Sequence, residues 1–215
     1  MTQSGASAQP TTTPSPTIPS VEQWPPLRAE LPPISYVECA NWTRNVTRGK
    51  VDLIVLHCME SPDTETRAEQ SARRMAGPNA PRASAHYFVD CNSIVRGLGD
   101  KRIAWHAPGA NRNGIGIEHA GWAKQTREAW LDEFGVSMFD LSAQLTESLC
   151  TKWKIPIAYV NAAGLLADPQ QRGITTHHEV TKAFKLSTHT DPGPGFPIDW
   201  YIMRALAYRG LPPVV

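Results

Sequence analysis

At 215 residues and 41 % hydrophobic content, the chain can bury one sizeable core and is too short for two comfortable domains. Twenty-one Lys and Arg against twenty Asp and Glu leave a net charge of +1, which excludes the strong one-signed field that draws a protein to nucleic acid. No run of about twenty apolar residues occurs, so no stable membrane association is expected. Roughly the first thirty residues lack the basic start and apolar core of a secretory signal, and the expectation is a protein made in the cytoplasm with no export address of its own.

Cys39, Cys58, Cys91 and Cys150 are far apart and show no CxxC spacing, which removes zinc-finger and thioredoxin-like readings and leaves isolated thiols. Residues 1–33 are rich in Thr, Ser and Pro with almost no apolar periodicity. Such a segment cannot offset its ordering entropy by burial, so it reads as a disordered or extended tail or linker ahead of a single domain over residues 34–215.

Asp52 to His57 is a short, nearly continuous apolar run with β-branched members, the pattern of a strand covered on both faces. Ser61-Pro-Asp-Thr64 then offers helix-start residues before Glu65 to Met75, which Gly77-Pro78 stops. Ala85–Asp90 and Ile94–Arg96 form a predicted hairpin around Cys91-Asn92-Ser93, and Gly114–His119 is a further strand. Ser137-Met-Phe-Asp140 resembles a capping box ahead of a helix whose Met138, Leu141, Leu145 and Leu149 make one stripe. Ile155–Val160 is another strand candidate. Ile198–Tyr208 is a helix closed by Gly210. Strands interleaved with helices make an α/β domain, a central mixed β-sheet flanked by helices.

Seven histidines stand out: His57, His86, His106, His119, His177, His178 and His189, most of them at or next to predicted strand ends. A catalytic zinc takes three protein ligands and keeps one open position, and strand ends are rigid places to hang such ligands. The HExxH spacing of a helical metalloprotease is absent, so ligands to any zinc must come from distant points in the chain.

Val55-Leu-His57, Ser84-Ala-His-Tyr-Phe-Val89, Ala104-Trp-His-Ala107, Asn113-Gly-Ile-Gly-Ile-Glu118, Ile174-Thr-Thr-His177 and Thr190-Asp-Pro-Gly-Pro194, followed by Phe196 and Asp199-Trp200, occur in this order. Together, from about residue 50 to about 201, they resemble the N-acetylmuramoyl-L-alanine amidases of the second type, a family that includes phage endolysins, a bacterial anhydro-muropeptide amidase and animal peptidoglycan-recognition proteins.

The resemblance implies one zinc ion per chain, bound by His57 at the end of the first core strand, by His177 after the late Ile-Thr-Thr, and by Asp191 just before Pro-Gly. His177 fits better than its neighbour His178. Two neutral imidazoles and one carboxylate suit a borderline cation and leave the site net positive. Glu118 stands where family members resembling the anhydro-muropeptide enzyme place their general base. Other members use a Tyr just before the His of the Ser-x-His segment, where this chain has Ala85. His189 stands where a Lys is usual, and the implied role is hydrogen-bond donor to the oxyanion of the tetrahedral intermediate.

Weaker expectations place His86, His106, Trp105 and Asn113 along the substrate groove, and Gly109–Gly114 as a loop that shapes it. By the period-two rule His119 points away from Glu118 and is structural. The implied partner is bacterial peptidoglycan, and the implied reaction is hydrolysis of the bond between N-acetylmuramic acid and L-alanine. A phage-type endolysin acting on the wall after release from a bacterial host is favoured over a cytoplasmic recycling amidase or a non-catalytic receptor on the same fold. Oligomeric state is left open.

Overall fold

The computed structural model describes residues 24–168 and 170–210. Its elements in chain order are β1 (Ser35–Tyr36), β2 (Trp42–Thr43), β3 (Leu53–Cys58), α1 (Arg67–Ala76), β4 (Tyr87–Val89), β5 (Ile94–Arg96), β6 (Ile103–Ala104), β7 (Gly114–His119), α2 (Arg127–Trp130), α3 (Glu133–Trp153), α4 (Ala162–Ala167), β8 (Gly173–Thr176), α5 (His177–Phe184) and α6 (Ile198–Tyr208).

All six residues of β3 are buried, as an apolar run with no polar alternation requires. The strand lies inside a six-stranded sheet of order β1-β5-β4-β7-β3-β8. β4, β7, β3 and β8 run parallel to their neighbours, while β5 folds back antiparallel on β4 as the hairpin around Cys91 dictates. β2 and β6 form a separate antiparallel pair. This is the expected mixed sheet flanked by helices.

The two faces of the sheet bury different things. Ile54 and Leu56 of β3, Ile115 and Ile117 of β7 and Ile174 of β8 turn one way, into the main core built by α3 and α6 with Phe139, Trp200 and Tyr201. Leu53 and Val55 turn the other way, against Val160, Leu165 of α4 and Val180 and Ala183 of α5. On that second face α1 packs its two buried alanines, Ala68 and Ala72, over Phe88 and Val95; small side chains four apart let the helix sit close to the strands.

Two sequence expectations are corrected. The long helix begins at Glu133, with Asp132 as N-cap accepting from Gly135 N at 2.8 Å; Ser137 and Asp140 lie inside it. Asp140 is instead the buried partner of Arg204. Ile155–Val160 forms no strand: Pro156 lacks a backbone donor, and only Tyr159 bridges to Ile174. Of the segment 1–33, residues 1–23 lie outside those described, and the rest is extended, without helix or strand. From Trp24 onward it docks on the domain. Trp24 packs against Trp200 with ring centroids 5.4 Å apart. Arg204 donates to the carbonyls of Pro25 and Pro26 at 2.6 and 3.2 Å, and Arg28 pairs with Asp140 at 3.0 Å. Two prolines in a row supply free carbonyls without competing donors, which is why a segment without apolar periodicity still finds partners.

Candidate metal centre and groove

The parallel register brings the ends of three strands together. His57 stands opposite Glu118, and Leu56 opposite Thr176, so the last residues of β3, β7 and β8 reach one rim of the sheet. His177 follows at once as the first residue of α5, whose N-cap Thr176 accepts from Glu179 N. The loop after α5 returns Asp191 to the same place, tied down where His178 N donates to the Asp191 carbonyl at 2.9 Å. Gly193 then turns the chain at φ +90°, and a Cβ there would run into the Ala123 carbonyl, so the Asp-Pro-Gly segment needs its glycine.

His57 Nδ1 lies 3.0 Å from Asp191 Oδ2, and His177 Nδ1 lies 3.0 Å from Asp191 Oδ1. One ligand atom from each of the three residues falls within 4.8 Å of the others, and all three residues are buried. The donor set fits zinc: two ring nitrogens and one carboxylate, converging at the floor of a groove of about 820 Å³. Burial works against the charge on Asp191, but the His177 and His57 contacts outweigh it and hold the carboxyl far below the usual carboxylate range. Burial in turn pushes the His57 imidazole down, toward the neutral form that a metal requires.

Glu118 faces the same groove, and its Oε2 has no hydrogen-bond partner. Burial first, then the charges of Asp191 and Glu60, raise its carboxyl well above the usual range. His189 stacks on His177 at 4.6 Å between ring centroids, with Nδ1 3.4 Å from Asp191 Oδ1 and a side chain 65 % exposed. His178 lies off the cluster, its Nδ1 without a partner.

Of the weaker expectations, Trp105 lines the groove, with its indole N–H on Thr43 Oγ1 at 3.0 Å. His106 lines it too, reaching His57 Nε2 with its Nδ1 at 3.0 Å, and burial with His57, His86 and Arg48 nearby holds it neutral. His86 does not face the groove. It is fully buried, accepts from Gly116 N at 3.0 Å, and is pushed down to about 3 by burial and by Arg48. Asn113 is also misplaced by the sequence reading: it precedes β7, and its carbonyl receives Asp52 N and Leu53 N at the opposite end of the strands from His57. The groove residue in that loop is Asn111, whose Oδ1 accepts from the backbone N–H of His106 and of Ala107 at 2.9 and 2.7 Å. The turn-rich composition of Gly109–Gly114 marked the loop but could not say which Asn points in. His119 is structural as expected, buried between the His57 carbonyl and Ser142.

The described cysteines are free thiols, and among the described residues no helix is long and apolar enough to cross a membrane.

A family model described as N-acetylmuramoyl-L-alanine amidase matches residues 47–194. An N-acetylmuramoyl-L-alanine amidase A of Achromobacter lyticus is 29 % identical over 160 residues, covering 69 % of this chain and 80 % of that protein. Among solved structures, the hydrolase AmiA of Staphylococcus aureus superposes with a TM-score of 0.63 at 16 % identity, over 86 % of this chain and 89 % of that one. The endolysin amidase LysCS of Clostridium intestinale superposes with a TM-score of 0.52 at 16 % identity, over 86 % and 99 % of the two chains. At such identities these two likenesses are of fold. The match to the family model spans both His57 and Asp191 and most of the sheet between them, and by it the chain belongs to the N-acetylmuramoyl-L-alanine amidase family.

Proposed function

We propose that this protein is a zinc-dependent amidase that hydrolyses the bond between N-acetylmuramic acid and L-alanine in peptidoglycan, working as an endolysin. The observation that carries the zinc reading is the convergence of His57, His177 and Asp191 within 4.8 Å at the floor of the groove. These three would hold one zinc ion, which would supply Lewis acidity toward a carbonyl and toward water.

The chain's own groups do the rest. The groove positions the scissile amide over the three ligands, with Trp105 along its wall. Glu118 Oε2, free of other partners, takes a proton from the attacking water and delivers it to the departing nitrogen. A C–O bond forms as the C–N bond breaks, leaving the lactyl carboxylic acid on the sugar and a free amine on L-alanine. His189, exposed at the groove beside Asp191, donates to the oxyanion in this reading. The Thr- and Pro-rich leader supports the endolysin setting, since a linker or tail suits an enzyme that works on an insoluble wall.

Mass spectrometry of products from intact sacculi and from soluble anhydro-muropeptide, run side by side, tests the proposal. Expected are new L-alanine amino groups, loss of activity on chelation, its return with zinc, and turnover on sacculi. A cut elsewhere in the stem, or chelator-resistant activity, would overturn the chemistry. Activity confined to the soluble substrate would overturn the endolysin setting.

A further inference from the structure

A second layer of the site follows from the hydrogen-bond roles that its groups permit. Gly114 O can only accept, and His106 Nε2 lies 3.2 Å from it, so Nε2 carries the ring proton. In a neutral imidazole the other nitrogen is then an acceptor. His106 Nδ1 lies 3.0 Å from His57 Nε2, so His57 must donate there from Nε2–H. That leaves His57 Nδ1 a bare lone pair, 3.0 Å from a carboxylate oxygen of Asp191 that is also an acceptor. Two acceptors at that distance need a proton or a metal ion between them, and burial disfavours the doubly protonated ring while His177 and Asp191 converge on the same point. The chain of roles therefore closes with the metal on Nδ1, the nitrogen that points into the ligand cluster.

The polypeptide is shaped around this imidazole. A Cβ on Gly116 would come within 2.8 Å of His106 Cγ and Nδ1, and one on Gly114 within 3.3 Å of His106 Cε1. Any larger residue would lift the ring off β7. Gly114 O, which anchors the proton, is itself held from the side by the buried Arg48, whose Nη1 donates to it at 2.6 Å while Nε donates to Asp100 O at 2.7 Å. Asn111 holds the backbone on which His106 is carried.

We infer that His106 is a positioning residue of the metal centre: seated on the Gly114-Ile115-Gly116 floor and fixed by the Gly114 carbonyl, it sets the tautomer of His57 and so presents His57 Nδ1 to the metal. This rests on the zinc reading above and adds to it a role for both glycines of the Gly-Ile-Gly-Ile-Glu segment and for Arg48. A metal-bound imidazole whose outer N–H has no acceptor is less basic and less well oriented, and loss of such an outer partner typically weakens metal binding by about ten- to a hundredfold.

The test has two arms, both read without turnover. Nitrogen-15 NMR of the histidine rings in the zinc-loaded wild type should find His57 and His106 both protonated on Nε2; a His106 protonated on Nδ1 would overturn the inference with no mutation made. Zinc affinity by competition with a chromophoric chelator should fall by about ten- to a hundredfold in His106→Leu. It should recover to within about threefold of wild type in His106→Asn, whose Oδ1 takes the place of Nδ1. Gly116→Ala should weaken zinc in the same direction, because its methyl displaces the ring. Equal affinity in wild type and His106→Leu, or an Asn variant as weak as Leu, would overturn the positioning role. If the wild type itself takes up no zinc, the metal reading fails instead, a result distinct from either.

Discussion

His57 and Glu118 are register partners on adjacent parallel strands, so the buried imidazole and the unpartnered carboxylate leave the same face of the sheet at the same height. A strand pair fixes their separation more rigidly than any loop could. Glu118→Gln keeps the shape of the side chain but cannot accept a proton. Turnover should fall by roughly a hundred- to ten-thousand-fold with zinc content unchanged. Steady-state kinetics with metal analysis on the same sample checks both, and activity within about threefold of wild type would leave Glu118 structural.

The raised carboxyl of Glu118 also makes a stability prediction for the metal-free protein. Its folded pKa lies above its unfolded one, so the folded state holds the proton more tightly. The stability this contributes is present at low pH and is lost as pH rises from the unfolded pKa through the folded one. Metal-free Glu118→Gln should therefore lose less stability than metal-free wild type as pH rises above the usual carboxylate range. Parallel denaturant midpoints over that rise for the two proteins would remove the burial argument.

Asp191 bridges His57 and His177 through its two oxygens, so its removal takes away both the carboxylate of the cluster and the group that orders the two imidazoles. Since loss of an outer partner alone costs about ten- to a hundredfold, Asp191→Ala should weaken zinc by more than about a hundredfold. Chelator competition measures it. Stoichiometric zinc surviving a challenge that the wild type just resists would exclude Asp191 from the ligand set.

His189 meets the cluster by stacking on His177 and at 3.4 Å from Asp191, from an exposed position, so zinc content should survive its removal. If it donates to the oxyanion, His189→Ala should lower turnover by about a hundred- to a thousandfold. Wild-type turnover in this variant would reduce His189 to a stacking neighbour of His177.

The docked leader yields a stability prediction. Trp24 is half-buried on Trp200, so Trp24→Ala should cost about 1–2 kcal/mol, well under the loss for a fully buried Trp. For a domain of this size that is a drop of about 2–8 °C in Tm. An unchanged Tm would mean the segment from Trp24 to Leu31 contributes nothing to the fold.

Much of the candidate site was legible in the sequence because its chemistry is written in rare residue types at strand ends. His57 follows an unbroken apolar run, and Glu118 closes a Gly-Ile-Gly-Ile strand. Asp191 precedes Pro-Gly, a pair whose backbone admits few alternatives. The central strand was legible because a strand buried on both faces reads as an unbroken apolar run, here Leu53–Leu56, with His57 as the polar exception at its end.

What only the tertiary structure decided are the relationships that depend on a partner far along the chain. The periodicity of the long helix cannot show that Asp140 is neutralised by Arg204 and Arg28, so in sequence its acid resembles part of a cap. The leader has no apolar period, and its docking rests on Arg204 reaching two proline carbonyls from 178 and 179 residues away. His86 and His106 look alike in sequence, each beside a strand with an aromatic neighbour. Their rings meet edge to face at 5.7 Å, but His86 Nδ1 is taken by Gly116 N while His106 Nδ1 reaches His57, and only the tertiary packing decides which ring gets which partner. Residue type named the candidate chemistry; the packing of β7 against β3 and of the His106 loop over two glycines decided which imidazoles meet.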